Sequence, residues 1–229
     1  MIPIHHNVVN LIYMIKGCGE SHLSRAEEGA FEDESARIRN AEDYLRRIVD
    51  QAQKALDTMK YLGKLIRIAS DGLRVRSKVS VQFSWEKTLE RLKSESKLQQ
   101  VEILERIPDD FPVLHCQRDE FREIIFQLSK NAIEAMNGKG KLVFRTHRGY
   151  RPNGEPVGVI SISDTGPGMN QSDLAALFSP FSSSKSEIEG NGLGLYLAKT
   201  LTQKNQGTIQ AFSYPGMGTS FILEFPCYK

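Results

Sequence analysis

Cysteine, long apolar runs and a dominant sign of charge are all wanting in this sequence. Its three cysteines (Cys18, Cys116 and Cys227) are odd in number, far apart and form no CxxC pair. That excludes a disulfide framework and the usual zinc or dithiol motifs, and free thiols fit a reducing compartment. The longest apolar stretch, Val8 to Ile15, is broken by Asn10 and is too short to span a bilayer. No basic region precedes it, so it does not read as a secretory leader. Lysine and arginine number 30 against 28 acidic residues, net +2, so no nucleic-acid or membrane partner is demanded. The chain is expected to be cytoplasmic, with any membrane segment lying outside it. Apolar residues at 40% and charged residues at 25% are ordinary globular values and exclude wholesale disorder. A length of 229 residues allows one large domain or two small ones.

Residues 1–72 contain a single proline, Pro3, and read as helix. From Leu45 the apolar or small residues run Leu45, Ile48, Ala52, Ala55, Met59, Leu62, Ile66, Ala69. The steps alternate three and four, which is a heptad seam. A lone surface helix is the alternative; the regularity and the alanines favour bundle packing. Ile4, Val8, Leu11, Ile15 and Cys18 form a shorter seam of the same kind. Between the two, Ala26 to Glu34 carries a glycine and a cluster of acids and reads as the connection of a helical hairpin. Such a hairpin leaves an apolar seam uncovered, and a symmetric dimer forming a four-helix bundle would cover it.

Ser70-Asp71-Gly72 ends the long helix, and a boundary is expected near residues 71–78. Val79, Val81 and Phe83 alternate with polar residues as in a half-buried strand. Helix is expected over Trp85–Gln99, Arg118–Met136 and Leu193–Gln206. Strands are expected near Val101–Ile107, Lys141–His147, Val157–Ser163, Gly207–Ser213 and Thr219–Phe225. This mixture predicts an α+β sandwich with helices on one face of a mixed sheet.

Two glycine-rich segments stand out. Asp164-Thr165-Gly166-Pro167-Gly168-Met169 follows the apolar strand VISIS, and Gly190-Asn191-Gly192-Leu193-Gly194-Leu195 precedes an amphipathic helix. Glycines let a backbone turn sharply and approach a ligand, and a helix N-terminus offers free N–H groups to phosphate. Neither segment is a dinucleotide fingerprint or a P-loop, because the spacing and the lysine those need are missing. On the helix FREIIFQLSKNAIEAM, Asn131 offers a neutral oxygen suited to a magnesium ion that keeps phosphate and water ligands.

Together these segments resemble the ATP-binding domain of histidine kinases, within the GHKL (Bergerat-fold) superfamily that also holds gyrase and MutL ATPases. Asn131 matches the N box, Asp164 to Gly168 the first glycine box, and Gly190 to Gly194 the second. Leu177 to Lys185 resembles the F box and the start of the ATP lid, and Gly216 to Phe221 the closing GTxF strand. The resemblance implies roles. Asp164 would accept from the adenine amino group, with Thr219 helping through water. Asn131, with Lys130 beside it, would serve the phosphates, Asn131 holding Mg2+. Gly166 and Gly168 would take part in binding the nucleotide, and Gly190, Gly192, Leu193 and Gly194 would cradle the phosphates. Lys185 would touch the terminal phosphate; an exposed lid lysine is the alternative. The superfamily's ATPases carry a glutamate one turn before the magnesium asparagine, whereas here that position is Gln127, a poor base. Glu123 and Glu134 are nearby in sequence but are expected at other phases of the helix.

A kinase of this kind needs a nucleophilic histidine on the hairpin. In the heptad phase set by Ile4 and Val8, His6 falls at the exposed f position, His5 beside the seam and His22 on it. The family's H box aligns with His6-Asn7-Val8-Val9-Asn10-Leu11. A surface histidine pair at a frayed end is the bland alternative. The residue after the phosphoacceptor is usually acidic; Asn7 can orient an imidazole but is a poor base. Asn10 stands where the family positions water for dephosphorylating a partner.

The resemblance therefore implies two domains: an all-α dimerisation and phosphoacceptor hairpin over 1–72, and the ATP-binding domain over 73–229. The expected activity is a histidine protein kinase of a two-component system, using ATP and Mg2+ and autophosphorylating at His6. Its phosphoryl group would pass to the aspartate of a response-regulator receiver domain. The expected state is a homodimer, cytoplasmic as it stands or as the cytoplasmic part of a longer sensor. A catalytically weak ATP-binding scaffold or phosphatase is the main rival, with Asn7 in its favour.

Overall fold

The computed structural model describes residues 17, 43, 45–49, 52, 56, 59, 63, 76–95, 100–180 and 192–228. The chain divides into two compact units, one holding Met1–Arg67 and Lys185–Asn191, the other Ile68–Ser184 and Gly192–Lys229. No helix among the described residues is long and apolar enough to cross a membrane.

In the first unit every described residue from 43 to 63 is helical. Leu45, Val49, Leu56 and Met59 are each more than half exposed in the single chain. Their steps of four, seven and three form an apolar stripe. This stripe shares Leu45 and Met59 with the expected seam and adds Val49 and Leu56 beside it. The expected shorter seam, its hairpin connection, and His6, Asn7 and Asn10 lie outside the described residues.

The second unit is a five-stranded mixed sheet with helices on one face. Its strands are β2 (Gln100–Arg106), β4 (Lys139–Tyr150), β5 (Pro156–Asp164), β6 (Thr208–Ser213) and β7 (Thr219–Pro226). They lie in the order β2-β4-β5-β7-β6. β2 runs parallel to β4, and the other pairings are antiparallel. β1 (Ser77–Val79) and β3 (Leu114–Cys116) make a separate antiparallel pair. Helices α1 (Val81–Glu95), α2 (Arg118–Ala135) and α4 (Gly194–Lys204) pack side by side, and a short α3 spans Gln171–Ala176.

The core forms where helix stripes of period near 3.6 meet the alternating faces of the strands. α2 buries Phe121, Ile124, Ile125 and Leu128; β7 buries Phe221, Leu223 and Phe225. Phe121 meets Phe225 edge-on with centroids 5.3 Å apart. Trp85 stacks on Phe144 at 4.0 Å, and its indole N–H donates to Glu105 Oε2 at 2.6 Å. The large aromatic is thus buried without leaving its polar edge unpaired.

The strand expected through Val81 and Phe83 is corrected. β1 stops at Val79 and a helix starts at Val81. The reason is Ser80, whose Oγ accepts from the Phe83 N–H at 3.3 Å as a helix cap does. Val81, Ser84, Trp85, Thr88 and Leu92 are then buried at helical spacing, while Phe83 is 47% exposed. The other expected strands and helices are present with ends shifted by a few residues. α2 ends where Asn137 and Gly138 take positive φ and Gly138 N–H donates to Ile133 O at 3.0 Å. This left-handed stop is the common way a helix satisfies its last carbonyls.

Candidate functional site

The C-terminal end of β5 delivers Asp164 to a crossing of two other segments. The residue is 6% exposed. Its Oδ1 accepts from Gly166 N–H at 2.8 Å and from Thr219 N–H at 3.2 Å. Two backbone donors hold the carboxylate in place, one from the turn that follows it and one from the start of β7. The turn itself is anchored on β4: Thr165 N–H donates to Lys141 O at 3.2 Å and Thr165 Oγ1 accepts from Lys141 N–H at 3.0 Å.

Glycine is required at two points of this crossing. Gly168 has φ +67, and a Cβ there would run into the backbone carbonyl of Tyr214. Gly218 has φ +79, and its Cβ would run into the carbonyl of Asp164 itself. Both positions combine a left-handed backbone with a close pass of another chain segment. Gly216 N–H donates to Pro167 O at 2.6 Å, which ties the β6–β7 hairpin to the turn. Gly166 has ordinary φ and shelters Asp164 Oδ1, which a Cβ there would approach to 2.8 Å.

Ser213, at the end of β6, is a residue the motifs did not mark. It is 7% exposed. Its Oγ accepts from Met169 N–H at 2.9 Å and lies 2.9 Å from Gly218 O and 3.0 Å from Thr219 Oγ1. Its place three residues before a glycine turn was visible in the sequence; the bonds that make it central were not.

α2 contributes the second wall. Its half-buried residues Glu123, Gln127 and Asn131 are spaced four apart, so they share a face. Asn131 and Lys130 are half-buried, and Lys130 Nζ lies 3.8 Å from Glu134. Glu123, expected at another phase, accepts from Gln127 Nε2 at 2.7 Å and pairs with Arg91 Nη1 of α1 at 2.8 Å. The correction has a simple cause: i to i+4 spacing returns to nearly the same angle on a helix. Because a carboxylate only accepts, the Gln127 nitrogen faces Glu123 and its oxygen faces the other way.

That oxygen faces the start of α4. A Cβ on Gly194 would come within 2.5 Å of Gln127 Oε1, so a larger residue here would make the Gln127 side chain move aside. Gly192 takes φ +62, and Leu193, 1% exposed, is the residue before the helix with no side-chain cap. The first turn of α4 therefore presents backbone N–H groups, the feature that suits a phosphate. Lys185 and Gly190 lie outside the described residues.

One neutral oxygen at Asn131 suits magnesium, a hard cation that retains phosphate and water ligands. No group of three or more His, Cys, Asp or Glu side chains that could hold a metal is found among the described residues. Cys116 and Cys227 take no part. Burial first, and then the Glu120 charge, pushes the Cys116 thiol up to about 12, and burial raises Cys227 as well.

Comparisons with known proteins bear on the same residues. A family model described as histidine kinase-, DNA gyrase B-, and HSP90-like ATPase matches residues 116–229. Sporulation kinase E of Bacillus subtilis (strain 168) is 30% identical over 139 residues, which are 61% of this chain and 18% of that protein. Sensor histidine kinase ZraS of Escherichia coli (strain K12) is 25% identical over 226 residues, 97% of this chain and 44% of that one. The chain thus spans less than half the length of these curated relatives. Among solved structures, histidine kinase ThkA in complex with response regulator protein TrrA matches with a TM-score of 0.68 at 15% identity, covering 98% of this chain and 60% of that chain. At that identity the likeness is one of fold.

Proposed function

We propose that the chain is the catalytic core of a two-component histidine protein kinase, starting from the match of residues 116–229 to the model of histidine kinase-, DNA gyrase B- and HSP90-like ATPases. The observation that carries the reading is the convergence at Asp164, a buried carboxylate crossed by two left-handed glycines, Gly168 and Gly218, with the uncapped start of α4 set against Gln127 of α2. In this reading Asp164 and Thr219 hold the adenine, and the α4 N-terminus with Gly192 and Gly194 holds the phosphates. Lys130, Gly190 and Lys185 would add contacts there. Asn131 holds Mg2+, which when bound supplies charge neutralisation at the phosphates.

His6 Nε2 would attack the γ-phosphorus in line, forming the N–P bond as the bond to the ADP oxygen breaks. Asn7 would orient the imidazole by hydrogen bonding without removing its proton. Gln127 favours this route over hydrolysis, since an amide is a poor base for water. The phosphoryl group would then pass to an aspartate on the receiver domain of a response regulator; ThkA is solved in complex with response regulator protein TrrA. Asn10, four residues after His6, would position water for hydrolysis of the receiver's aspartyl phosphate, releasing inorganic phosphate.

Residues 1–72 would form the hairpin and residues 73–229 the ATP-binding domain. The apolar stripe through Leu45, Val49, Leu56 and Met59 supports a homodimer built as a four-helix bundle. The place of action would be the cytoplasm. A second reading is an ATP-binding scaffold that docks a regulator with little autokinase activity, favoured by Asn7 in place of an acid.

The experiment is incubation with γ-labelled ATP and Mg2+, comparing wild type with His6→Gln and Asn131→Ala. Acid-labile label on wild type, lost in both variants, is the expected result. Label on serine would overturn the reading, and ATP binding without any label would favour the scaffold.

A further inference from the structure

The Ser213 hydroxyl meets three groups that do not have equal freedom. Met169 N–H can only donate, and the Gly218 carbonyl can only accept. Ser213 has one proton to place, and Thr219 Oγ1, 3.0 Å away, can act in either sense. If the proton goes to the Gly218 carbonyl, the Ser213 lone pairs receive Met169 N–H and the Thr219 hydroxyl, and all three bonds form together. If it goes to Thr219, the bond to the carbonyl is lost. In a site where Ser213 and Thr219 are each 7% exposed, the arrangement that satisfies every group prevails. Thr219 then directs its proton at Ser213 and presents only lone pairs to its other side. Asp164, bonded to the Thr219 backbone at 3.2 Å, is an acceptor as well.

From this proton arrangement we infer that Ser213 is a specificity-determining positioning residue, which fixes the Thr219 hydroxyl as an acceptor and so selects a purine with an amino group at C6 over one with a carbonyl there. The inference rests on the reading of this crossing as the base pocket of a nucleotide site. An amino group can donate to either acceptor. A water held between Asp164 and Thr219 gives both protons to them and turns its lone pairs toward the ring, which again favours an amino group. A C6 carbonyl brings one more acceptor to a pocket already made of acceptors. Without the Ser213 hydroxyl, Thr219 is released to rotate and donate, and the selection weakens.

The test measures dissociation constants of the full chain for ATP and for inosine triphosphate by calorimetry, with Mg2+ present. Wild type should favour ATP. Ser213→Ala should lower the preference about tenfold, the worth of one net hydrogen bond, and Ser213→Thr, which keeps a hydroxyl, should retain it. Thr219→Val should lower it similarly, and adding Ser213→Ala to Thr219→Val should change the ratio no further. Mere loosening of the turn would not give that last result. An unchanged ratio in Ser213→Ala, or a further fall in the double variant, overturns the inference. Should Ser213→Ala fail to fold, an unchanged ratio in Thr219→Val overturns it instead. A wild type that binds ATP but does not prefer it overturns the inference alone, whereas one that binds neither nucleotide overturns the underlying reading with it.

Discussion

Gly216 and Gly218 share a backbone conformation, with φ +78 and +79, but not a neighbourhood. A Cβ at 216 meets nothing within 4 Å, while one at 218 meets the Asp164 carbonyl. Gly216→Ala should therefore cost only the left-handed strain, about 1 kcal/mol. Gly218→Ala should cost at least about 2 kcal/mol more, because backbone must move, and should also abolish ATP binding. Urea unfolding of the two variants checks the difference; equal losses would contradict the close approach. Cys116 offers a second test at this scale. Burial pushes its native thiol up to about 12, whereas an unfolded thiol ionises near the ordinary 9.0. Between those values the unfolded chain binds fewer protons, so stability falls as pH rises, by about 1.4 kcal/mol per pH unit. Replacing Cys116 by Ser should remove that share of the slope in alkaline unfolding curves.

At the scale of elements, the contact that matters is α2 against the first turn of α4. Gly194→Ala places a methyl on Gln127 Oε1, and since a side-chain end can yield, the fold should survive. The Gln127 amide must then turn from Glu123, and the phosphate cradle shifts with α4. The expected result is a melting temperature within a few degrees of wild type and affinity for ATP reduced about tenfold, with adenosine affinity kept. Equal loss for adenosine would sink the assignment of this turn to the phosphates. Periodicity made α2 and α4 legible in the sequence, and alternation did the same for β4, β5 and β7. It failed at Val79-Ser-Val-Gln-Phe, where three apolar residues fit a strand and only the Ser80 cap decides for helix. Asn131 was singled out on ligand chemistry and remains a proposal, whereas the glycine turns at 168, 192 and 218 were legible because a left-handed backbone restricts residue type. Ser213 and the Glu123–Gln127 pair were not, since a serine or glutamate takes its meaning from bonds to residues far along the chain.

At the scale of the molecule, Leu45, Val49, Leu56 and Met59 form an exposed apolar stripe, which the proposed dimer would cover. Leu45→Asp with Met59→Asp should shift the sedimenting species from dimer to monomer while ATP binding persists. A wild type that sediments as a monomer at micromolar concentration would count against the bundle.

The clasp at Asp164 also bears on the order of folding. It joins Gly166, two residues away, to Thr219, 55 residues away, and the second bond needs β5, β7 and the hairpin already in register. Such long-range closure comes after the local helices and hairpins have formed. Asp164→Asn should accordingly leave the refolding rate nearly unchanged and hasten unfolding, so that its effect falls on one limb of the chevron. A nucleotide bound at the clasp would then act as a kinetic lock, prolonging the life of a domain whose speed of assembly it does not alter.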